Sequence, residues 1–273
     1  MATENPNTPE AWGAASRGYA TIAPTFMERY ADAIVERLDL DASHSVLEVA
    51  AGTGALTLSL AARAGSVLAT DFAPQMLEVL RERLDASGHD NVTLAVMDGQ
   101  ALTVDDGSFD RAASSFGLML FPERARGFSE LRRALRPGGR VTVSGWAGPE
   151  KLEVFAIFMG AMQRAFPDLP PPSSPPPLFS LADTDQFAAE LEAAGFADVA
   201  VDEVERVLVL DGADALWSML TVGAPPVQVM FDRIGHAGRD RLKASLYEAV
   251  EARWGDGPIR LANTATVGHG TAA

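Results

Sequence analysis

Two acids frame a turn of small residues in the stretch 46–77. Glu48 closes a short apolar run, Gly52-Thr53-Gly54 follows, and Asp71 closes the next apolar run, 17 residues beyond Gly54. Glycine in such a turn leaves backbone N–H groups open to a ligand, with no Cβ in the way. A carboxylate at the end of the second strand suits both hydroxyls of a ribose, as in dinucleotide folds. The chemistry is therefore that of a nucleoside derivative. A nicotinamide dinucleotide calls for G-x-G-x-x-G, and the run Gly52-Thr53-Gly54-Ala55-Leu56-Thr57 lacks the third glycine. Glu48 would also repel a pyrophosphate at short range. It suits a cationic ligand carrying an ammonium or a sulfonium, which favours S-adenosylmethionine (SAM) over a nicotinamide cofactor.

The elements that must hold these residues alternate from residue 46. Strands are expected at 46–49, 66–70, 92–97, 109–114 and 140–146, and helices at 55–64, 74–84 and 123–135. The helix 74–84 puts Met76, Leu77, Leu80 and Leu84 on one face. Short apolar strands between helices imply a mostly parallel sheet covered on both faces. Right-handed crossovers make it doubly wound, with ligands beyond the carboxyl ends of the strands. A turn at 136–139 precedes the fifth strand. Helices are expected at 152–166, 184–194, 213–220, 226–234 and 239–254, with strands at 199–210 and 259–267. Residues 167–177 hold seven of the chain's 17 prolines and read as an extended linker. The first 40 residues read as loop followed by an amphipathic helix at 24–38. The whole is expected to be one domain: an N-terminal cap over 1–40, a ligand-binding core over 41–148, and helical additions at 149–180 and 211–258.

Bulk properties narrow the partners. With no cysteine, disulfides and thiolate metal sites are excluded, and the four histidines are too scattered for a metal site. The net charge is −15, which disfavours nucleic acid, whose binding needs a basic stripe. The densest basic cluster, Arg124, Arg126, Arg132, Arg133, Arg136 and Arg140, has helical spacing with Glu123 and Glu130 interleaved, and reads as a solvated helix face. The polar, acidic start is unlike a signal peptide, and no apolar stretch approaches the ~20 residues of a membrane span. A soluble, cytoplasmic protein is expected, with its oligomeric state open.

The segments also carry a resemblance. Glu48-Val49-Ala50-Ala51-Gly52-Thr53-Gly54 resembles the acid-x-Gly-x-Gly-x-Gly loop of class I SAM-dependent methyltransferases. Asp71-Phe72-Ala73-Pro74-Gln75-Met76-Leu77 is similar to their ribose-binding segment, and Met97-Asp98-Gly99-Gln100-Ala101-Leu102 to their adenine-binding segment. Phe109-Asp110 opens the fourth strand, and Leu135-Arg136-Pro137-Gly138-Gly139-Arg140 matches the turn before the fifth. The resemblance covers about residues 40–148 in detail, extends more weakly to Ala194-Gly195-Phe196, and is nearest to the ubiquinone/menaquinone-type small-molecule group. It implies a Rossmann-like, seven-stranded fold whose last strand runs antiparallel. It implies that Glu48 organises the turn or meets the amino group of the methionine moiety, which Gly52 and Gly54 admit, with Ala50 and Thr53 in the same loop. Asp71 would hold the ribose, with Phe72 in the same segment, and Met76 would pack near the adenine. Asp98 would accept from the adenine N6 amine beside backbone donors at Gly99 and Gln100, and Ser115 or its neighbours would lie by the transferring methyl. Ala50 stands where the family usually has glycine; its methyl is expected to be tolerated.

Plainer roles compete. Glu48 could cap the following helix, Asp71 could be an N-cap, and Asp98 a turn residue. Met76 and Met97 could be simple core, as could Phe116, Met119 and Phe121, which otherwise suit a substrate wall. Trp12 and Tyr19 could be incidental, although the resembling family often folds such a leader over the cofactor. Methyl transfer from a sulfonium disperses charge, so a dry apolar pocket favours it and holding the acceptor in line is the protein's main task. Phe155, Phe158, Met159, Met162, Trp217, Met219, Met230 and Phe231 are suited to closing such a pocket. His44, His89 and His269 are expected at the wrong ends of strands. Tyr19 and His236 remain as catalytic candidates, and no obligatory histidine base is expected. The reading is methyl transfer to a small, fairly apolar metabolite. The alternatives are other chemistry on the same fold, such as a cyclisation, or a ligand-binding module.

Overall fold

The computed structural model describes residues 7–170, 176–222 and 225–273. The chain begins with helix α1 (Pro9–Phe26), a single 3-10 turn (Glu28–Tyr30) and α2 (Ala31–Leu38). The alternation follows: β1 (Ser45–Val49), α3 (Thr57–Ala61), β2 (Ser66–Asp71), α4 (Pro74–Ser87), β3 (Val92–Val96), β4 (Phe109–Ser115), α5 (Arg124–Ala134) and β5 (Leu135–Trp146). Then come α6 (Glu153–Ala165), α7 (Thr184–Ala193), β6 (Phe196–Leu210), α8 (Ala213–Thr221), α9 (Pro225–Trp254) and β7 (Ile259–Ala272).

The strands form one seven-stranded sheet in the order β3-β2-β1-β4-β5-β7-β6. β1 to β5 pair in parallel, and β7 runs antiparallel between β5 and β6. The chain winds from β1 out to β3, then crosses back to β4 on the other side of β1. That reversal opens a crevice above the carboxyl ends of β1 and β4. The register sets Val49 beside Thr70 and Glu48 beside Ala113. Glu48, Asp71 and Ser115 therefore reach neighbouring strand tips.

Local chemistry explains the elements that position the site. Covered on both faces, β1 is buried from Val46 to Val49. Pro74 stands in the first turn of α4, and Gly88 ends it in the left-handed conformation, φ 75°. The buried face of α4 carries Met76, Leu77, Leu80 and Leu84, as the periodicity predicts, together with Val79. Asp183 caps α7 by accepting from the N–H groups of Asp185 and Gln186 at 3.0 and 2.9 Å.

Several boundaries differ from the expectation. The leader is helical from Pro9, where a loop is predicted. The segment carries an apolar stripe, Trp12, Tyr19, Ile22 and Phe26 at helical spacing, but two glycines, Gly13 and Gly18, interrupt it and weaken its helix propensity. A Cβ at Gly13 would lie 2.3 Å from Gln75 Oε1, the end of a flexible side chain, and one at Gly18 would make ordinary contact with the Val222 carbonyl at 3.4 Å; α1 lies against α4 and the end of α8. The predicted helix 24–38 is broken at Met27 because Phe26 and Tyr30 both turn in to Trp146. The predicted helix 55–64 contracts to Thr57–Ala61, since left-handed residues at 50, 52 and 54 prolong the turn before it. Residues 136–139 form the bulged start of β5, where the register shifts between Phe109 and Arg111. The helices predicted at 226–234 and 239–254 join as α9 across Gly235, φ 63°. Of the predicted linker 167–177, residues 171–175 lie outside the described residues.

The basic cluster around α5 is paired, not bare. Arg124 meets Glu190, Arg126 meets Glu123, Arg133 meets Glu130 and Asp106, Arg136 meets Asp110, and Arg140 approaches Asp39. No described helix is long and apolar enough to cross a membrane.

Candidate functional site

Above the carboxyl ends of β1, β2 and β4 lies a cavity of about 910 Å³, its mouth included. Its floor is the turn after β1. There Ala50, Gly52 and Gly54 all take positive φ, at 57°, 56° and 88°. A Cβ on Gly52 would meet nothing within 4 Å. Its backbone is open to whatever fills the cavity, as close approach of a ligand requires. Gly54 has a different task. A Cβ there would fall 2.3 Å from Leu80 Cδ1, and the residue does not line the cavity. Its bare backbone packs the turn on α4, behind the lining. Ala50 carries an L side chain in a left-handed conformation. Its methyl is accommodated because Gly117 faces it: a Cβ on Gly117 would lie 2.4 Å from Ala50 Cβ. The glycine missing from the loop is compensated across the cavity, on β4's exit.

The two acids meet the cavity differently. Glu48 is 1% exposed, and its Oε2 has no hydrogen-bond partner. Burial pushes its carboxyl up to about 8, and the Asp71 carboxylate adds to the rise. The Thr57 hydroxyl opposes this more than Asp71 reinforces it, without completing a hydrogen bond. Asp71 accepts from Gly52 N at 2.9 Å through Oδ2 and from Ala73 N at 2.9 Å through Oδ1. Burial raises it to about 6, against the pull of the backbone N–H groups of Ala73, Gly52 and Phe72. Among the described residues lining the cavity there is no lysine, arginine or histidine. Two buried carboxyls without a cation leave a place for one, since a buried charge needs a partner.

The walls follow. Phe72 and Met76 line the side toward α4, and Met97, Asp98, Gly99 and Gln100 the side beyond β3. Asp98 is exposed and accepts from Gln100 N at 2.9 Å, so it holds its own turn as well as facing the cavity. Gly99 is needed for packing, because a Cβ would sit 2.4 Å from Val49 Cγ1 and 2.7 Å from Phe121 Cζ. Thr53 and Ser115 complete the predicted set on the lining. Eleven of the twelve predicted ligand residues thus converge, Gly54 being the exception. Phe116, next to Ser115, is held at φ 55° with its N–H donating to the Ser144 carbonyl and hydroxyl at 3.1 and 3.2 Å. Its ring stacks on Trp146 at 4.2 Å.

The roof is α1 and the turn after it. Trp12, Tyr19 and Met27 line the cavity. The Tyr19 hydroxyl donates to Met27 Sδ at 2.9 Å, and Trp12 meets the Tyr19 ring edge-on at 5.5 Å. Burial raises the Tyr19 hydroxyl pKa, and the Asp71 carboxylate raises it further. Sequence reasoning missed Met27, Leu120 and Pro122 on the lining; nothing in their type or spacing marks them, since they arrive by the folding of separate loops.

His236 does not line this cavity. It sits in α9 in a shallow groove with Phe231, Asp232, Gly235 and Arg239. His269 lies within β7, opposite Thr142 and Ala200, and not after the strand. Phe155, Phe158, Met159, Met162, Trp217, Met219, Met230 and Phe231 also stay off the lining. They belong to the helical additions, where Phe155 packs on Phe179 and Trp217 on Phe231. Those helices bury their apolar faces against each other, which leaves the roof to α1.

Comparison with known proteins bears on the family and the fold. A family described as a methyltransferase domain matches residues 46–139. A demethylmenaquinone methyltransferase of Clavibacter sepedonicus is 43% identical over 108 residues, 40% of this chain and 43% of that protein. One of Corynebacterium efficiens is 33% identical over 172 residues, 60% of this chain and 72% of that protein. The chain belongs to the class I SAM-dependent methyltransferases, in the ubiquinone/menaquinone-type group. The YcgJ protein of Bacillus subtilis shares the fold, with a TM-score of 0.58 at 17% identity over 89% of this chain and 97% of that one. The chain spans about half the length of several relatives it matches, 43%, 51% and 55%.

The residues fit this family's cofactor. The unpartnered Glu48 Oε2, the open Gly52 backbone and the absence of a lining cation suit a cationic amino-acid arm. Asp71 keeps acceptor capacity for hydroxyls, because each carboxylate oxygen has a second lone pair beyond its backbone bond. Phe72, Met76 and Met97 offer an apolar slot for a base.

Proposed function

We propose that this protein transfers a methyl group from SAM to a small, fairly apolar acceptor, a reduced quinone ring precursor being the class that its relatives' names favour. The observation that carries the reading is the buried acid pair at the strand tips, without a cation, under an apolar roof. When bound, the sulfonium supplies an electrophilic methyl. The chain's residues hold and shield it: Glu48 and Gly52 the amino-acid arm, Asp71 the ribose, Met76 and residues 97–100 the base. Trp12, Tyr19, Met27 and Phe116 exclude water above, which favours a reaction that disperses charge. In this reading residues 41–148 hold the cofactor and 1–40 cap it, while the additions at 149–180 and 211–258 support the cap from behind.

Among the described residues, no histidine lines the cavity. The acceptor must therefore ionise or react without one, as an acidic phenol or an activated ring carbon does, with the Tyr19 hydroxyl available to orient it by hydrogen bonding. Calorimetric titration with SAM, S-adenosylhomocysteine and NAD, followed by methyl-label transfer to a panel of reduced quinones, phenols and amines, tests this. Binding of the first two ligands and labelled product with a ring acceptor is expected. Tight binding with no turnover on any acceptor would leave a binding module or a cyclase-like activity. NAD binding in preference to SAM would overturn the reading altogether.

A further inference from the structure

Arg83 reaches from α4 to both halves of the cavity without lining it. Its Nη1 donates to the Thr53 carbonyl at 2.7 Å, and its Nη2 donates to Glu28 Oε1. Thr53 belongs to the cavity floor. Glu28 follows Met27, whose sulfur accepts the Tyr19 hydroxyl in the roof. A guanidinium presents a planar fork of donors and can hold two acceptors in fixed relation. Here those acceptors lie on the cofactor loop and on the turn between α1 and α2.

A second ion pair joins the roof to α4 and provides a contrast. Arg17 bonds Glu82 with side chains 71% and 57% exposed, and touches nothing in the loop. Arg83 and Glu28 are 22% and 34% exposed, so water and salt screen them less. The bond from Arg83 to the Thr53 carbonyl uses a different nitrogen, Nη1, from the bond to Glu28, Nη2.

We infer that Arg83 is a positioning residue that couples the cofactor loop to the roof, so that a filled floor and a closed roof occur together. The inference rests on the cavity being the SAM site. Without Arg83 each half still forms, but the roof no longer senses the loop. Cofactor retention then falls, and α1 stays open when ligand is present.

The experiment titrates S-adenosylhomocysteine into the full chain and measures trypsin cleavage after Arg17 or Arg29 with and without that ligand. In the wild type, ligand should protect both sites. Arg83→Ala should weaken binding about tenfold, the range expected for lost charged hydrogen bonds, and abolish the protection. Glu28→Ala should also abolish protection, and adding it to Arg83→Ala should weaken binding no further. Arg17→Ala should stay within twofold of the wild type. KM for SAM should rise in Arg83→Ala more than kcat falls, with partial rescue in Arg83→Lys. Wild-type affinity in Arg83→Ala, additive losses in the double variant, or an equal loss in Arg17→Ala each overturns the coupling. Should Arg83→Ala fail to fold, Glu28→Ala decides by the protection assay, because it leaves the Thr53 bond in place; retained protection there refutes the proposal. A wild type that binds no S-adenosylhomocysteine removes the cofactor reading, and the coupling with it.

Discussion

Binding of a cationic nucleoside should expel a proton from Glu48. In the ligand-free protein its carboxyl sits at about 8 because it is buried with an unpartnered oxygen and Asp71 nearby. The ligand's ammonium needs the ionised form. At pH 7 about nine tenths of the carboxyl is protonated, so the apparent dissociation constant is about tenfold weaker than that of the ionised site. The penalty is about 100-fold at pH 6 and about twofold at pH 8, a rise in affinity of about 50-fold across that window. Asp71, at about 6, adds at most about another factor of two at pH 6. The assay is calorimetric titration with S-adenosylhomocysteine from pH 6 to 9, in buffers of different ionisation heat. It should count about 0.9 protons released at pH 7 and about 0.5 at pH 8. Adenosine lacks the amino-acid arm and should bind with little pH dependence above pH 7, and Glu48→Gln should remove the slope for S-adenosylhomocysteine. Stability carries the matching sign. Glu48 is protonated in both states below about 4.5, and the unfolded chain ionises first as pH rises. The ligand-free fold therefore loses stability between pH 4.5 and 8, and the thermal shift given by ligand should grow over pH 6 to 8. Affinity that is level over this range, with no proton released at pH 7, would refute the reasoning.

Asp71→Ala removes the ribose acceptor and also frees the Gly52 and Ala73 N–H groups. Binding of S-adenosylhomocysteine should fall at least about tenfold, and urea unfolding should show a loss of about 1–3 kcal/mol, so the fold is not left as undisturbed as a purely ligand-binding role would imply. Gly117→Ala drives a Cβ to 2.4 Å from Ala50 Cβ and 2.9 Å from Ser114 Oγ, and should destabilise by about 1–3 kcal/mol in the same assay. Adding Ala50→Gly should restore part of that loss, because it removes the opposing methyl and relieves a left-handed L residue; no recovery in the double variant would show that the two positions do not oppose each other. Tyr30→Phe leaves the Asn263 carbonyl without its 2.7 Å partner in a fully buried site, and should lower stability by about 1–2 kcal/mol by urea unfolding.

Charge and spacing made the floor legible in advance. An acid at the end of each of the first two strands can be placed from local pattern, because strand ends, glycine turns and a Pro74–Gly88 helix are set by neighbours a few residues away. Asp71 is an instance of partial legibility. Its position was readable, whereas its bonds to Gly52 and Ala73 depend on how the turn after β1 folds back. Gly54 shows the limit more sharply, since a glycine that admits a ligand and one that packs on Leu80 look alike in one dimension.

The sequence by itself determined the doubly wound core, the order of its first five strands in the chain and the two acids that define the ligand's charge, because these follow from hydrophobic periodicity and residue chemistry within short windows. The tertiary structure alone decided the roof. The apolar stripe of α1 (Trp12, Tyr19, Ile22 and Phe26) does not say what it covers; it becomes the roof by packing beside Gln75 and Val222, with a guanidinium that ties its end to the loop. It also decided that Gly117 makes room for Ala50, and that the aromatic additions bury themselves instead of lining the cavity. Each of these joins segments distant in the chain, and which distant surfaces meet is settled by packing of the whole fold.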